Sequence, residues 1–173
     1  YVYNTNNTPF SSSASSDNPK ETADNKTMSF QSPDMENSRS IRFQELIQQY
    51  EKFSYEDFKR IKFDQQYGAK IQSREMQNLD LVFQLDPQKY PDIKTEIEQL
   101  KQWDRKCTID NTTAPFFILI IQELVEHLQS EDRYKWGGQI TEMDAVTAIK
   151  QAKAFMLENY GSLVIPLGDF QRH

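Results

Sequence analysis

The chain has 173 residues, enough for one domain or slightly more. Its formal net charge is -6 and its sequence pI about 5.0. No Lys/Arg cluster alternates with aromatics, which excludes the electrostatic footprint of a nucleic-acid binder. Mean hydropathy is -0.78, too polar for a uniformly packed globule, so part of the chain must be loop. The longest apolar run, residues 114–121, is far too short to span a membrane. Cys107 is alone, so no internal disulfide and no Cys/His metal spacing exists.

Tyr1-Val2-Tyr3 is β-type and reads as the end of a strand. Asn4-Thr5-Asn6-Asn7-Thr8-Pro9 reads as the turn leaving it, because Asn tolerates the left-handed conformation and hydrogen-bonds its own backbone. A side-chain amide at such a strand end can also donate to a developing oxyanion. Residues 10–38 are rich in Ser, Asn, Asp, Thr and Pro and predict a long surface loop.

Asn37 or Ser38 can cap a first helix over 39–53, with Ile41, Leu46 and Ile47 on its apolar side. Arg39 falls in its first turn, where a cation opposes the helix dipole. Ser54-Tyr55-Glu56-Asp57 approximates a capping box for a second helix running to about residue 67, stopped by Gly68. A third helix is expected over 69–85, with Ile71, Met76, Leu79, Val82 and Phe83 inward and Asp86-Pro87 ending it. Pro91 opens a fourth at a position where its missing N–H costs nothing. Ile93, Ile97 and Leu100 mark its buried face, and Trp103 reads as a core anchor.

A cap cluster at 110–113 precedes the most apolar helix, 113–129, expected at the centre of the core. His127 on it has no second metal-binding partner at helical spacing and reads as structural. Trp136-Gly137-Gly138 belongs to a connecting segment and lacks the context of a phosphate loop. Thr141 and Asp144 start the last long helix, which Gly161 ends, and Leu163-Val164-Ile165 predicts a short strand. The reading is mainly α: about six helices with short terminal strands. It divides into 1–38 (strand end and polar loop), 39–160 (helical domain) and 161–173 (returning strand). Both ends read as cut within strands, so the expectation is a fragment of a larger polypeptide.

Several stretches, in order, resemble the penicillin amidase family of N-terminal nucleophile hydrolases, which includes penicillin acylases and acyl-homoserine-lactone acylases. Tyr3–Pro9 resembles the segment carrying the oxyanion-hole asparagine. Asn37-Ser38-Arg39-Ser40-Ile41-Arg42 is similar to an Arg-containing helix start. Phe53-Ser54-Tyr55-Glu56-Asp57-Phe58 with Asp64, then Leu100, Trp103 and Asp104, then Ala114-Pro115-Phe116-Phe117, match further segments. The closing stretch with Gly161, Val164, Pro166, Gly168 and Arg172 resembles a family strand and leans toward the acyl-homoserine-lactone branch.

The resemblance implies the helical portion of an αββα fold, whose end strands return to a central sheet. It also implies hydrolysis of a non-peptide C–N amide bond, with acyl-homoserine lactones, penicillins or related N-acyl compounds as candidate substrates. The family nucleophile is a Ser, Thr or Cys at a free N-terminus, with its own amine as base. Tyr1 cannot fill that role, so this chain would supply the other half of the site and be inactive alone. Asn6 matches the oxyanion donor, with Asn4 as the alternative if the register shifts by two. Arg39 matches the residue that orients substrate and that asparagine. Phe10, Met28, Phe30 and Met35 would line the pocket.

Asp17 matches a carboxylate that helps bind calcium in one branch, but a lone carboxylate falls short of the roughly six to eight oxygens calcium takes. No cofactor is otherwise implied, and calcium would belong to the parent enzyme. The expected partners are the remainder of the same precursor and an N-acyl small molecule, in a periplasmic or secreted setting. The competing reading is an acidic helical interaction domain without catalytic activity, which the helix pattern alone fits equally well.

Overall fold

The structure is a computed structural model, and it describes residues 2–6, 9–14, 16–20, 22, 24 and 37–171. Tyr1, Met28, Phe30, Met35 and Arg172, which carried sequence expectations, lie outside the described residues. The chain is mainly helical and divides into two compact units, Tyr1–Ser73 and Arg74–His173.

In the first unit, Val2 pairs with Ser13 in an isolated antiparallel bridge, and Tyr3 N–H donates to the Ser12 carbonyl. A 3-10 turn, Pro9–Ser11, closes this small lobe. Helix α1 is Ser38–Ile47. Asn37 caps it, its Oδ1 accepting from the Ser40 N–H. Helix α2 is Tyr55–Lys62, and Ser54 and Asp57 form the expected capping box. It ends several residues earlier than the sequence suggests. Asp64 turns back to α1, and Gly68 is not the helix stop. A Cβ at Gly68 would lie 3.0 Å from Glu45 Oε1, whose carboxylate accepts from the Ala69 N–H. This glycine permits close approach rather than a left-handed cap.

The expected third helix over 69–85 is not formed; only α3, Leu81–Gln84, is helical. The cause is competition for backbone hydrogen bonds. Gln72 N–H and carbonyl both engage Ser38 Oγ. In the second unit, Arg74 O accepts from Gly137 N–H, while Gln77 N–H donates to Gly138 O and Gln77 O accepts from Ile140 N–H. The apolar residues are nonetheless inward: Ile71, Met76, Leu79 and Val82 are all buried. Gly138 is required at this crossing, because a Cβ would come within 2.5 Å of Glu75 O and 2.6 Å of Arg133 O.

Also in the second unit, a 3-10 turn, Pro91–Ile93, leads into α4, Lys94–Gln102. Helix α5 is Ala114–Ser130 and α6 is Glu142–Tyr160. These two form the principal pair. Phe116, Ile120, Leu124 and Leu128 of α5 and Ile149, Ala152 and Met156 of α6 are fully buried. Burying one such large side chain favours folding by about 1.5–3 kcal/mol, so this pair dominates the unit's stability. Small Ala145 and Ala148, also fully buried, leave room for the aromatic α5 to approach.

Trp103 is a core anchor, its ring 5.0 Å from Phe117 and its indole N–H donating to Asn111 Oδ1 and Lys106 O. Asn111 Oδ1 also accepts from the Thr113 and Ala114 N–H groups, so it starts α5 from three residues upstream. Helix α6 begins with the Thr141–Asp144 capping box and ends at Gly161 with φ 68°.

Neither expected terminal strand is present among the described residues, where β-pairing is limited to the Val2–Ser13 and Gln77–Gln139 bridges. Residues 163–165 are irregular and lead into a single helical turn, α7, Leu167–Phe170. There Leu167 N–H donates to Asn111 O and Gly168 N–H to Ile109 O. β-type residues form a strand only when another strand satisfies their backbone, and Val164 N–H and carbonyl instead engage the Ser162 hydroxyl.

Candidate functional site

The candidate catalytic residues that the resemblance implies fall at two places in the first unit, the 4–6 turn and the start of α1. The chain ties these together twice. Tyr3 is buried against α1, its ring 4.6 Å from Phe43 and its hydroxyl accepting from Gln44 Nε2 at 2.8 Å. Two residues later, Thr5 O accepts from Asn37 Nδ2 at 3.0 Å, a bond across 32 positions. The turn therefore lies against the N-terminal end of the helix that carries Arg39.

Asn6 is exposed and sits in the left-handed region, with φ 59°. Asn is among the few non-glycine residues that tolerate this conformation. Its N–H donates to Asn4 Oδ1 at 2.9 Å, which closes the turn. Residues 4–6 are thus a turn rather than a strand, so the strand alternation that made Asn4 equivalent to Asn6 does not apply. Asn4 instead spends its side-chain oxygen holding Asn6. Arg39 is exposed in the first turn of α1, and its side chain enters no ion pair or hydrogen bond among the described residues. The carboxylate partner expected of a surface arginine is therefore not among them.

The arginine that does pair is Arg42, one turn further along α1. Its Nε and Nη2 donate to Asp64 Oδ2 and Oδ1 at 2.8 and 2.9 Å. Nη1 reaches Glu45 at 3.1 Å and Nη2 also reaches Gln66 at 3.2 Å. Hydrogen bonding to Asp64 outweighs burial and raises the already high pKa of the guanidinium, so it is a fixed charge. Bidentate geometry makes this a strong polar tie within the unit. Arg42 and Asp64 both stand in the segments that carry the resemblance, yet sequence alone does not join them.

Asp17 lies in an exposed turn, its N–H donating to Ala14 O and its Oδ1 accepting from Ser16 Oγ. Among the described residues it belongs to no group of three metal-capable side chains. The group that does occur is His127, Glu131 and Asp144 in the second unit, with donor atoms within 4.8 Å. A cation already serves it: Arg133 donates to Asp144 at 3.0 and 2.6 Å and to Glu131 at 2.7 Å. His127 Nε2 lies 3.0 Å from Asp144 Oδ1, and Thr141 N–H donates to Oδ2 at 2.7 Å. Burial pushes the Asp144 carboxyl up, but hydrogen bonds from Arg133, Thr141 and His127 outweigh it and hold it well below the usual carboxylate range. This cluster is an ion-pair network joining α5 to α6, and it corrects the sequence reading of His127, because Glu131 four residues on does stand at helical spacing, its carboxylate 3.8 Å from Nε2.

Among the described residues, no helix is long and apolar enough to cross a membrane. No curated protein and no solved structure matches the chain. The family model described as penicillin amidase matches residues 1–162. That match spans both units and every element that the first ten residues and α1 through α6 contribute, and this chain belongs to the penicillin amidase family.

Proposed function

We propose that this chain is the part of an amidase that binds the oxyanion and positions the substrate. The enzyme hydrolyses the C–N bond of an N-acyl small molecule such as an acyl-homoserine lactone or a penicillin. Family membership implies a precursor processed into subunits. On this reading the nucleophile is a Ser, Thr or Cys from the remainder of that precursor, in the periplasm or outside the cell. It attacks the amide carbonyl, and the Asn6 side-chain N–H donates to the resulting oxyanion. A preorganised donor of this kind is worth about 2.7–4 kcal/mol in the transition state. Arg39, exposed and without an ion-pair partner among the described residues, is available to orient the substrate.

The observation that carries the reading is the bond from Asn37 Nδ2 to Thr5 O. It supports a shared site by bringing the backbone beside Asn6 to the helix start beside Arg39. The test is to produce the complete precursor and follow release of the free acid from N-acyl-homoserine lactones and penicillin G. Hydrolysis by the processed enzyme supports the proposal. A folded, processed protein that cleaves neither class contradicts it.

One observation favours the interaction-domain reading instead. Helix α2 buries none of its residues; Tyr55 and Phe58 are exposed on it, and Phe53 and Phe63 are exposed just beyond its two ends. Such a surface suits a protein partner. Absence of amide hydrolysis would leave that reading standing.

A further inference from the structure

We infer that Asn37 is the positioning residue of this site, holding the candidate oxyanion donor and the candidate substrate arginine in register; the inference rests on the function proposed above. The bonding of Asn37 separates into two tasks. Its Oδ1 accepts from Ser40 N–H at 2.9 Å and caps α1. Its Nδ2 donates to Thr5 O at 3.0 Å. A single planar amide thus spans two elements, and its backbone carbonyl takes Ser40 Oγ at 2.9 Å and Ile41 N–H at 3.1 Å. Ser40 is fully buried, so the cap end of this bridge is rigid.

The consequence falls on one peptide plane. Thr5 O and Asn6 N–H belong to the same peptide group, which is planar. Asn37 holds its carbonyl and Asn4 Oδ1 holds its N–H. With the plane pinned at both ends, the left-handed φ of 59° at Asn6 sets where its Cα–Cβ bond points. On the other side, Arg39 lies two residues beyond Asn37 in the turn that the cap begins. Asn37 need touch no substrate to fix both groups.

Substitution separates the two tasks. Asp and Ser cap helices about as well as Asn. Asp has no hydrogen for Thr5 O and sets a carboxylate against that carbonyl, while Ser has a single, shorter hydroxyl in place of the separate accepting and donating atoms of the amide. In the processed enzyme, Asn37→Asp and Asn37→Ser are expected to keep the cap and lose only the modest stability of one hydrogen bond, while lowering kcat about 10²-fold, the cost of a displacement near 1 Å. KM for the same N-acyl substrate should change far less. Asn37→Ala should lower both stability and kcat. Hydrogen exchange of the segment around Asn6, read by mass spectrometry, should accelerate in all three.

Unchanged kcat in Asn37→Asp, or unchanged exchange around Asn6, overturns the inference. A fall in kcat that only tracks lost stability also overturns it, since that is mere capping. If the wild-type enzyme cleaves no amide, the proposed function fails by itself. The exchange measurement then still decides whether Asn37 holds the turn.

Discussion

Replacing Asp144 by Asn tests the largest electrostatic feature of the second unit. Asp144 is 4% exposed, and its two oxygens accept from Arg133 Nη1 and Nη2, His127 Nε2 and Thr141 N–H. The amide that replaces it keeps one acceptor and turns two hydrogens toward donors. Removing one partner of a buried pair costs about 3–5 kcal/mol. The Arg133 side chain is 34% exposed and regains water when released, which puts the expected loss at the low end, about 3 kcal/mol. For a chain of this length that lowers the melting temperature by about 6–12 °C.

The sign of the pH dependence follows from the depressed carboxyl. Its contribution is complete above the unfolded pKa of about 3.9 and is lost as pH falls through the lower folded value. Urea denaturation followed by circular dichroism should therefore show the full gap between wild type and Asp144→Asn at pH 7 and at pH 5. The gap should narrow only below about pH 4. A difference under about 0.5 kcal/mol at pH 7, the usual range for a surface change, would refute the reasoning. So would a gap as wide at pH 2 as at pH 7.

Two further substitutions follow from the same physics. Arg42→Lys keeps the charge but loses the fork on Asp64, so it should cost about 1 kcal/mol, read as a lower denaturant midpoint with unchanged slope. Lys153→Met leaves Glu96, 4% exposed and paired to Lys153 at 2.9 Å, as an uncompensated buried charge. It should cost about 3 kcal/mol, and Glu96→Leu in the same chain should recover most of that in a double-mutant cycle.

Sequence was most informative where the signal is local. The Ser54–Asp57 and Thr141–Asp144 capping boxes, the Gly161 stop and the apolar circumference of α5 are written within a turn or two of chain. It failed where the partner is distant. Residues 69–80 carry inward apolar residues at plausible spacing, but their backbone bonds go to Ser38 and to 137–140, so no helix forms. Val2 and residues 163–165 have β-type side chains but no neighbouring strand among the described residues. Asn37 was legible as a cap from its place before α1. Its second bond, to Thr5, was not, because nothing local marks it. Arg42 and Asp64 were both in view, yet only the fold makes them a pair.

The most direct measurement is the rate of amide hydrolysis by the processed enzyme carrying Asn6→Ala. If the Asn6 side chain stabilises the oxyanion, kcat falls about 10²- to 10³-fold while KM holds, a loss well beyond what the strain of an alanine at a left-handed φ of 59° does to stability. Wild-type kcat in Asn6→Ala, with Asn4→Ala equally silent, would contradict the account.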